Sequence, residues 1–368
     1  MLIGVNGIGM GHGVRQGELA SLLRSRGHDV QIVTSGGAVT YFRDLGFTTW
    51  EGWLPRLIGT PARIPVRASI AANYRQMPAG VRRYAFIRDQ LRKTGVPDVF
   101  VTDYEPNSAW LAYGFGRPVI SVDQQSKYRH LDLPPLGTYR RAAERQRLRV
   151  FMPRVQRSFV CSFMPMHSSR SAVDVIPPIL TKSIRTATPA DSTLSVAYFS
   201  RYFEHGPQRA ARALADFFRT SAPESRLRIY IRREDFAAVR PYSEANVEVR
   251  IFDRERFLSD LMACQAVFCN AGFNLIAEAF ALGKPCYLVP LPTYDQHWCA
   301  HTVNRRGFGE GAATIEPGRV AEFLGRRAEY AVRINAELAE FLAEDPVERI
   351  ATHLESLASS RRAFSMGR

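Results

Sequence analysis

The chain has 368 residues, 46% of them hydrophobic and 23% charged, which suits a globular protein of two domains better than one. Lys and Arg total 49 against 35 Asp and Glu, a net charge of +14. That excess favours an anionic partner (nucleotide phosphates, an anionic membrane surface or nucleic acid), with an arginine-rich surface lacking any functional patch as the alternative. No apolar run is long enough for a transmembrane helix, and no helix-turn-helix, zinc finger or RNP-like motif accompanies the charge, so no nucleic-acid partner is expected.

The chain enters a strand over residues 2–6 without a basic leader, which argues against a signal peptide. Glycines lead to a helix over about 14–25, a turn at Arg26-Gly27-His28, a strand over 29–34 and a helix over 39–45. Strands over 98–102 and 118–122 flank a helix over 107–115. This alternation predicts a parallel, doubly wound α/β sheet. The proline-bearing residues 176–179 read as a linker, dividing the chain into domains 1–176 and 177–344. A second alternation runs through a strand over 194–199, a helix over 207–219, strands over 227–231 and 247–251, a helix over 256–262 and a strand over 266–268. Residues 320–357 read as mostly helical, and no solenoid repeat is visible.

Residues 269–309 carry the densest signal. A helix is expected after Gly272, with Asn274 and Glu278 four apart on one face. Gly283-Lys284-Pro285 ends it, and residues 286–290 read as a buried strand. Asp295-Gln296 falls in the next predicted loop, so that Glu278 and this pair would line one crevice at the carboxyl ends of parallel strands. Glu278 sits among Leu275, Ile276, Ala277, Ala279 and Phe280, so it needs a polar partner unless it turns outward to water.

The run Gly7-Ile8-Gly9-Met10-Gly11-His12-Gly13 follows the first strand and opens a helix, where backbone N–H groups favour an anion or dipole. It is not a dinucleotide fingerprint: His12 stands where the third glycine belongs, and the second strand ends at Thr34-Ser35-Gly36 without an acid. Nor is there a Walker A motif, because Pro285 follows Gly283-Lys284. His12 suits a general base, with a loop-capping role as the alternative. Asp103 and Glu105, two apart at a strand end, are expected to face one side and to orient His12 or bind substrate; capping the next helix is the alternative. Asp123 sits similarly after its strand. Five cysteines, without CxxC or HxxxH spacing, read as reduced core residues of a cytosolic protein with no structural zinc.

Residues 269–309 resemble the donor-binding half of GT-B glycosyltransferases. The likeness is to family 28, which includes the bacterial peptidoglycan N-acetylglucosaminyltransferase, and to its family 1 relatives. Gly272, Glu278, Asp295 and Gln296 occupy the places of the helix-opening glycine, the ribose-holding Glu and the sugar-gripping acid and Gln. Gly11-His12, then Arg26-Gly27-His28-Asp29-Val30, look like the family's opening. Residues 53–95 and 134–188 match nothing specific.

The resemblance implies a GT-B fold, two Rossmann-like domains facing a central cleft, with a last helix over about 345–368 packing back on the first. It implies inverting, metal-independent transfer from a nucleotide diphosphate sugar, UDP by analogy, to a hydroxyl acceptor: natural product, lipid or saccharide. The nucleotide sugar is a co-substrate; no other cofactor is implied. His12, with Asp103 and Glu105, would be catalytic. Gly11, Ser200, Arg201, Asn270, Gly272, Phe273, Asn274, Glu278, Asp295 and Gln296 would bind the donor, with Arg201 and the 270–273 turn beside the diphosphate. Asp103-Tyr104-Glu105 is not the Asp-x-Asp metal motif of GT-A enzymes. His297 and Cys299-Ala300 depart from the family pattern and bear on sugar identity. A nucleotide-sugar epimerase or hydrolase, or a non-catalytic GT-B-like subunit, are the rivals. The basic run 139–149, with Arg154 and Arg157, is a candidate peripheral contact with an anionic inner membrane face, against a solvated basic helix.

Overall fold

The computed structural model describes residues 1–8, 10–56, 66–137, 141–190, 192–199 and 206–366. Two units divide the chain: residues 1–181 with 344–368, and residues 182–343.

In the first unit the elements are β1 (Leu2–Val5), α1 (Met10–Ser25), β2 (Gln31–Thr34), α2 (Gly37–Asp44), β3 (Thr48–Glu51), α3 (Val66–Asn73), α4 (Met77–Thr94), β4 (Phe100–Asp103), α5 (Pro106–Gly114), β5 (Val119–Asp123), α6 (Lys127–His130), α7 (Arg141–Phe151), β6 (Arg157–Cys161) and β7 (Val173–Ile176). The seven strands lie in the order β3-β2-β1-β4-β5-β6-β7, every pair parallel. Every residue of β1, β2, β4 and β5 is buried, as strands covered on both faces require.

The second unit holds α8 (Lys182–Arg185), β8 (Leu194–Tyr198), α9 (Gly206–Ser221), β9 (Arg226–Ile231), α10 (Arg233–Val239), a 3-10 turn (Arg240–Tyr242), β10 (Val247–Ile251), α11 (Arg254–Ala263), β11 (Ala266–Cys269), α12 (Phe273–Ala281), β12 (Cys286–Leu288), α13 (Tyr294–Arg306), β13 (Gly309–Gly311), α14 (Pro317–Gly325) and α15 (Arg327–Ala343). Its six parallel strands repeat the order: β10-β9-β8-β11-β12-β13. Phe268, Tyr287 and Phe323 form an aromatic core with centroids 5.5 to 5.6 Å apart. Strand order reverses between β1 and β4 in one sheet and between β8 and β11 in the other, which places a ligand crevice outside the carboxyl ends of those pairs.

The last helix, α16 (Pro346–Met366), belongs to the first unit and packs on α1. Arg26 donates to Glu355 at 3.0 Å and also pairs with Glu348, and His28 Nε2 stands 3.0 Å from Glu355. Arg349 reaches Asp174 on β7 at 2.5 Å.

Several elements differ from the sequence expectation. α1 begins at Met10, not Val14, taking in Gly11 and Gly13; a Cβ on Gly13 would stand 3.4 Å from the Tyr41 ring on α2, and one on Gly17 2.9 Å from the Tyr41 hydroxyl. Strands β3, β7 and β13 and helix α10 were not expected. In β13 two of three residues are glycine, and a Cβ on Gly311 would lie 2.8 Å from the Ala300 carbonyl, so close packing on α13 erases the side-chain pattern. The boundary between the units falls after Thr181, five residues beyond the expected position.

Candidate functional site

At the reversal point of the first sheet, the end of β4 meets the first turn of α1. His12 Nδ1 stands 2.9 Å from Asp103 Oδ1. Arg15, one turn further along α1, places Nη2 2.7 Å from both Asp103 oxygens and donates from Nε to Oδ2 at 3.1 Å. Gln16 Nε2 donates to Asp103 Oδ2 at 3.0 Å and to the Val122 carbonyl on β5 at 2.9 Å. Side-chain exposure is 0% for Asp103, 2% for Arg15 and 14% for His12, so only the imidazole reaches the surface.

Burial by itself would drive the Asp103 carboxyl upward, but the Arg15 charge and the hydrogen bonds from Arg15 and His12 hold it below the usual carboxylate range. Burial likewise works against the Arg15 charge, and Asp103 outweighs it, leaving the guanidinium above its ordinary value. An ionised carboxylate on Nδ1 fixes that nitrogen as the proton-bearing one and leaves the lone pair on Nε2. Arg15 Nη2 is also 3.1 Å from Nδ1, but its shorter contacts go to Asp103.

Glu105 does not join this group. Its Oε1 accepts from Asn107 N at 2.9 Å and its Oε2 from Ser108 N at 2.7 Å, so it caps α5. The expectation that Asp103 and Glu105 share a side fails because β4 ends at Asp103. Tyr104 then takes a left-handed φ of 54°, held by Asn6 Nδ2 donating to its carbonyl at 2.8 Å. Burial raises the Glu105 carboxyl despite the bonds it accepts from Asn107 and Ser108.

Asp123, at the end of β5, accepts from Ser126 N at 2.5 Å and Ser126 Oγ at 2.9 Å. Burial, then the Asp103 charge, pushes it up to about 6. Gly11 lies in the first turn of α1.

The second sheet presents a different arrangement at its reversal point. β11 ends at Cys269, and Asn270 Nδ2 donates to the Val289 carbonyl at 2.9 Å, tying the ends of β11 and β12. Gly272 caps α12 without a side-chain acceptor, and Phe273 and Asn274 open that helix. A helix start with peptide N–H groups and no side-chain cap suits an anion. Glu278, one turn beyond Asn274, is 7% exposed and grips Arg254 of α11, with Nη2 2.5 Å from Oε1 and Nη1 3.1 Å from Oε2.

Asp295 and Gln296 lie on the first turn of α13, not in a loop, because Thr293 Oγ1 caps that helix by accepting from Gln296 N at 3.3 Å. Gln296 Oε1 accepts from Leu291 N at 2.9 Å. Burial lowers the neighbouring His297 imidazole. Ser200 and Arg201 lie outside the described residues. Among the described residues no three His, Cys, Asp or Glu side chains gather as a metal site.

Sequence reasoning missed Arg15, Gln16 and Arg254. The first two stand three and four residues after His12, so helical spacing offered the signal for a shared face. Nothing local marks Arg254, 24 residues before its partner.

The buried acids have a measurable consequence. The folded state holds a proton on Asp123 that the unfolded chain releases near pH 4, so this group's contribution to stability declines as pH rises from about 4 to 6. Asp103 acts oppositely, losing its contribution as pH falls below about 4. Asp123→Asn is expected to remove the decline between pH 4 and 6 and to stabilise the protein at pH 7 by about 3 kcal/mol. Urea unfolding at pH 4.5 and 7 checks this; an unchanged pH dependence would show Asp123 already ionised.

The sequence matches the model of Glycosyl transferase family 1 over residues 1–327. No curated protein sequence matches it. Among solved structures, the glycotransferase of kitacinnamycin superposes with a TM-score of 0.69 at 19% identity, covering 97% of this chain and 98% of that one. Glycosyltransferase VinC in complex with dTDP gives 0.66 at 17% identity over 98% and 99% of the two chains. Os79 from O. sativa in complex with UDP gives 0.67 at 13% identity over 96% and 100%. These structures share the GT-B fold. On the strength of the family match across both sheets, the chain belongs to glycosyl transferase family 1 and is a glycosyltransferase.

Proposed function

We propose that the protein transfers a sugar from a nucleoside-diphosphate sugar, UDP-linked, to a hydroxyl acceptor, with inversion and without a metal. The observation that carries this reading is His12, locked through Nδ1 on buried Asp103 with its other nitrogen left as base, at the reversal point of a parallel sheet. His12 takes the acceptor proton while the hydroxyl oxygen attacks the anomeric carbon. The C–O bond to the diphosphate breaks in the same displacement, which inverts the centre.

Unit two is read as the donor site. The α12 start at Gly272, Phe273 and Asn274 stabilises the departing diphosphate in place of a metal. Glu278 takes the ribose diol: a carboxylate has about four acceptor positions, and Arg254 occupies only the two it bonds. Asp295 and Gln296, at the start of α13, position the sugar. VinC and Os79 were solved with dTDP and UDP respectively, which supports a pyrimidine nucleotide.

Cys161, Cys264, Cys269 and Cys286 are buried and form no disulfide, which supports a reducing, cytosolic setting. Peripheral membrane contact is assigned to a small patch. On α7, Arg145 and Arg149 are exposed, as are Val150 and Trp110, whose indole donates to the Val150 carbonyl at 3.0 Å, whereas Arg147 pairs with Glu144 and Arg141 bonds the Leu131 carbonyl. Arg140 and Tyr139 lie outside the described residues.

Titration calorimetry with UDP is expected to show binding that weakens at least about tenfold in Glu278→Ala, roughly 1.4 kcal/mol. Equal affinity in the folded variant would remove Glu278 from the site. His12→Ala is expected to lower kcat by about a hundredfold or more while leaving UDP affinity intact. Full turnover in that variant would place the base elsewhere, and release of free sugar without acceptor would favour a hydrolase. Arg145→Glu with Arg149→Glu is expected to abolish sedimentation with phosphatidylglycerol vesicles; unchanged sedimentation would discard the membrane contact.

A further inference from the structure

We propose that Arg15 is a positioning residue of the transfer reaction: its guanidinium clamps Asp103 and offsets its charge, so that Asp103 orients His12 without holding it as an imidazolium. The inference rests on the reading of His12 as the base.

Orienting an imidazole needs one carboxylate oxygen. Asp103 receives that contact from His12 and four further donations, three from Arg15 and one from Gln16. Both residues lie on the buried face of α1, where an apolar side chain would avoid the cost of desolvating a charge. The planar guanidinium fork matches the carboxylate edge and fixes its rotation, a geometry a lysine cannot reproduce.

Charge gives the second half. A buried carboxylate touching an imidazole favours the protonated ring, which cannot accept a proton from an acceptor hydroxyl. Arg15 Nη2 lies 3.1 Å from Nδ1, and Asp103 Oδ1 lies 2.9 Å from it, so opposite charges act on the ring from nearly equal distance. The remaining titratable groups do not replace Arg15. On β6 the Cys161 thiol is pushed up to about 12 by burial and stays neutral, and on β5 Asp123 adds negative charge behind Arg15 once ionised. From α2, Tyr41 packs on Gly13 and Gly17 while Arg43 and Asp44 are exposed. From α16, Glu348 and Glu355 are taken up by Arg26 and His28 at the other end of α1.

The test is the pH profile of kcat/KM with a UDP-sugar donor, together with UDP affinity as a check on folding. In Arg15→Met the lower limb is expected to move up by about one pH unit. In Arg15→Met with Asp103→Asn, a pair of neutral near-isosteres, it is expected to return toward wild type while kcat drops for want of orientation. In Arg15→Lys the limb is expected to stay in place while kcat falls about tenfold, because charge is kept and the fork is lost. An unmoved limb in folded Arg15→Met overturns the inference, even when His12→Ala is inactive and the base assignment stands. If Arg15→Met does not fold, wild-type kcat in Arg15→Lys overturns it instead. Full activity in His12→Ala would remove the base assignment and this inference together.

Discussion

A guanidinium and a carboxylate, both shut away from water, set the geometry of the first unit's functional end. Either alone would be expensive to bury; removing one partner of such a pair costs about 3–5 kcal/mol. Arg15 and Asp103 join the first turns of α1 to the tip of β4, and Gln16 extends the link to the Val122 carbonyl on β5. Three elements therefore meet around one carboxylate. His12 inherits its position from that junction, since it rides on the same helix turn and leans on the same acid. Precision of this kind comes from rigid elements whose side chains are themselves held by neighbours.

The two sheets share one strand order and therefore one kind of crevice position, yet the residues at each are of different character. The first collects ionic groups deep under a largely buried ring. The second offers peptide N–H groups at a helix start, and one glutamate gripped from a neighbouring helix. The left-handed Tyr104 marks the cost of the first arrangement. A bulky residue is strained there by about 1–3 kcal/mol, and the strain turns the chain so that Glu105 caps α5 while Asp103 stays aimed at α1.

Legibility in the sequence followed the physics of each element. β1, β4, β5 and β8 are apolar runs because both faces are covered, and such runs are visible in any sequence. β13 is invisible for the opposite reason: close approach demands glycine, and glycine carries no pattern. Gly13, near the hidden start of α1, works in the same way, favouring the approach of Tyr41 over helix propensity. Within the candidate sites, Glu278 declared itself by its apolar neighbours, but its partner Arg254 lies on another helix and had no local mark. Arg15 escaped because an arginine in a helix reads as a solvated one; only the fold shows it buried. Alternation along a strand suggested that Asp103 and Glu105 act together, and alternation stops where the strand stops.

The closing helix has a consequence for the order of folding. α16 covers α1 through Arg26, His28 and Glu355, so the first unit is assembled from two stretches separated by the whole of the second. The second unit is a single uninterrupted stretch and can complete itself while the chain is still emerging from the ribosome. The first cannot. Its sheet waits with α1 uncovered through the synthesis of residues 182–343, and the apolar seam that α16 fills, lined by Ile350, Leu354 and Ala358, closes only after that helix has been made.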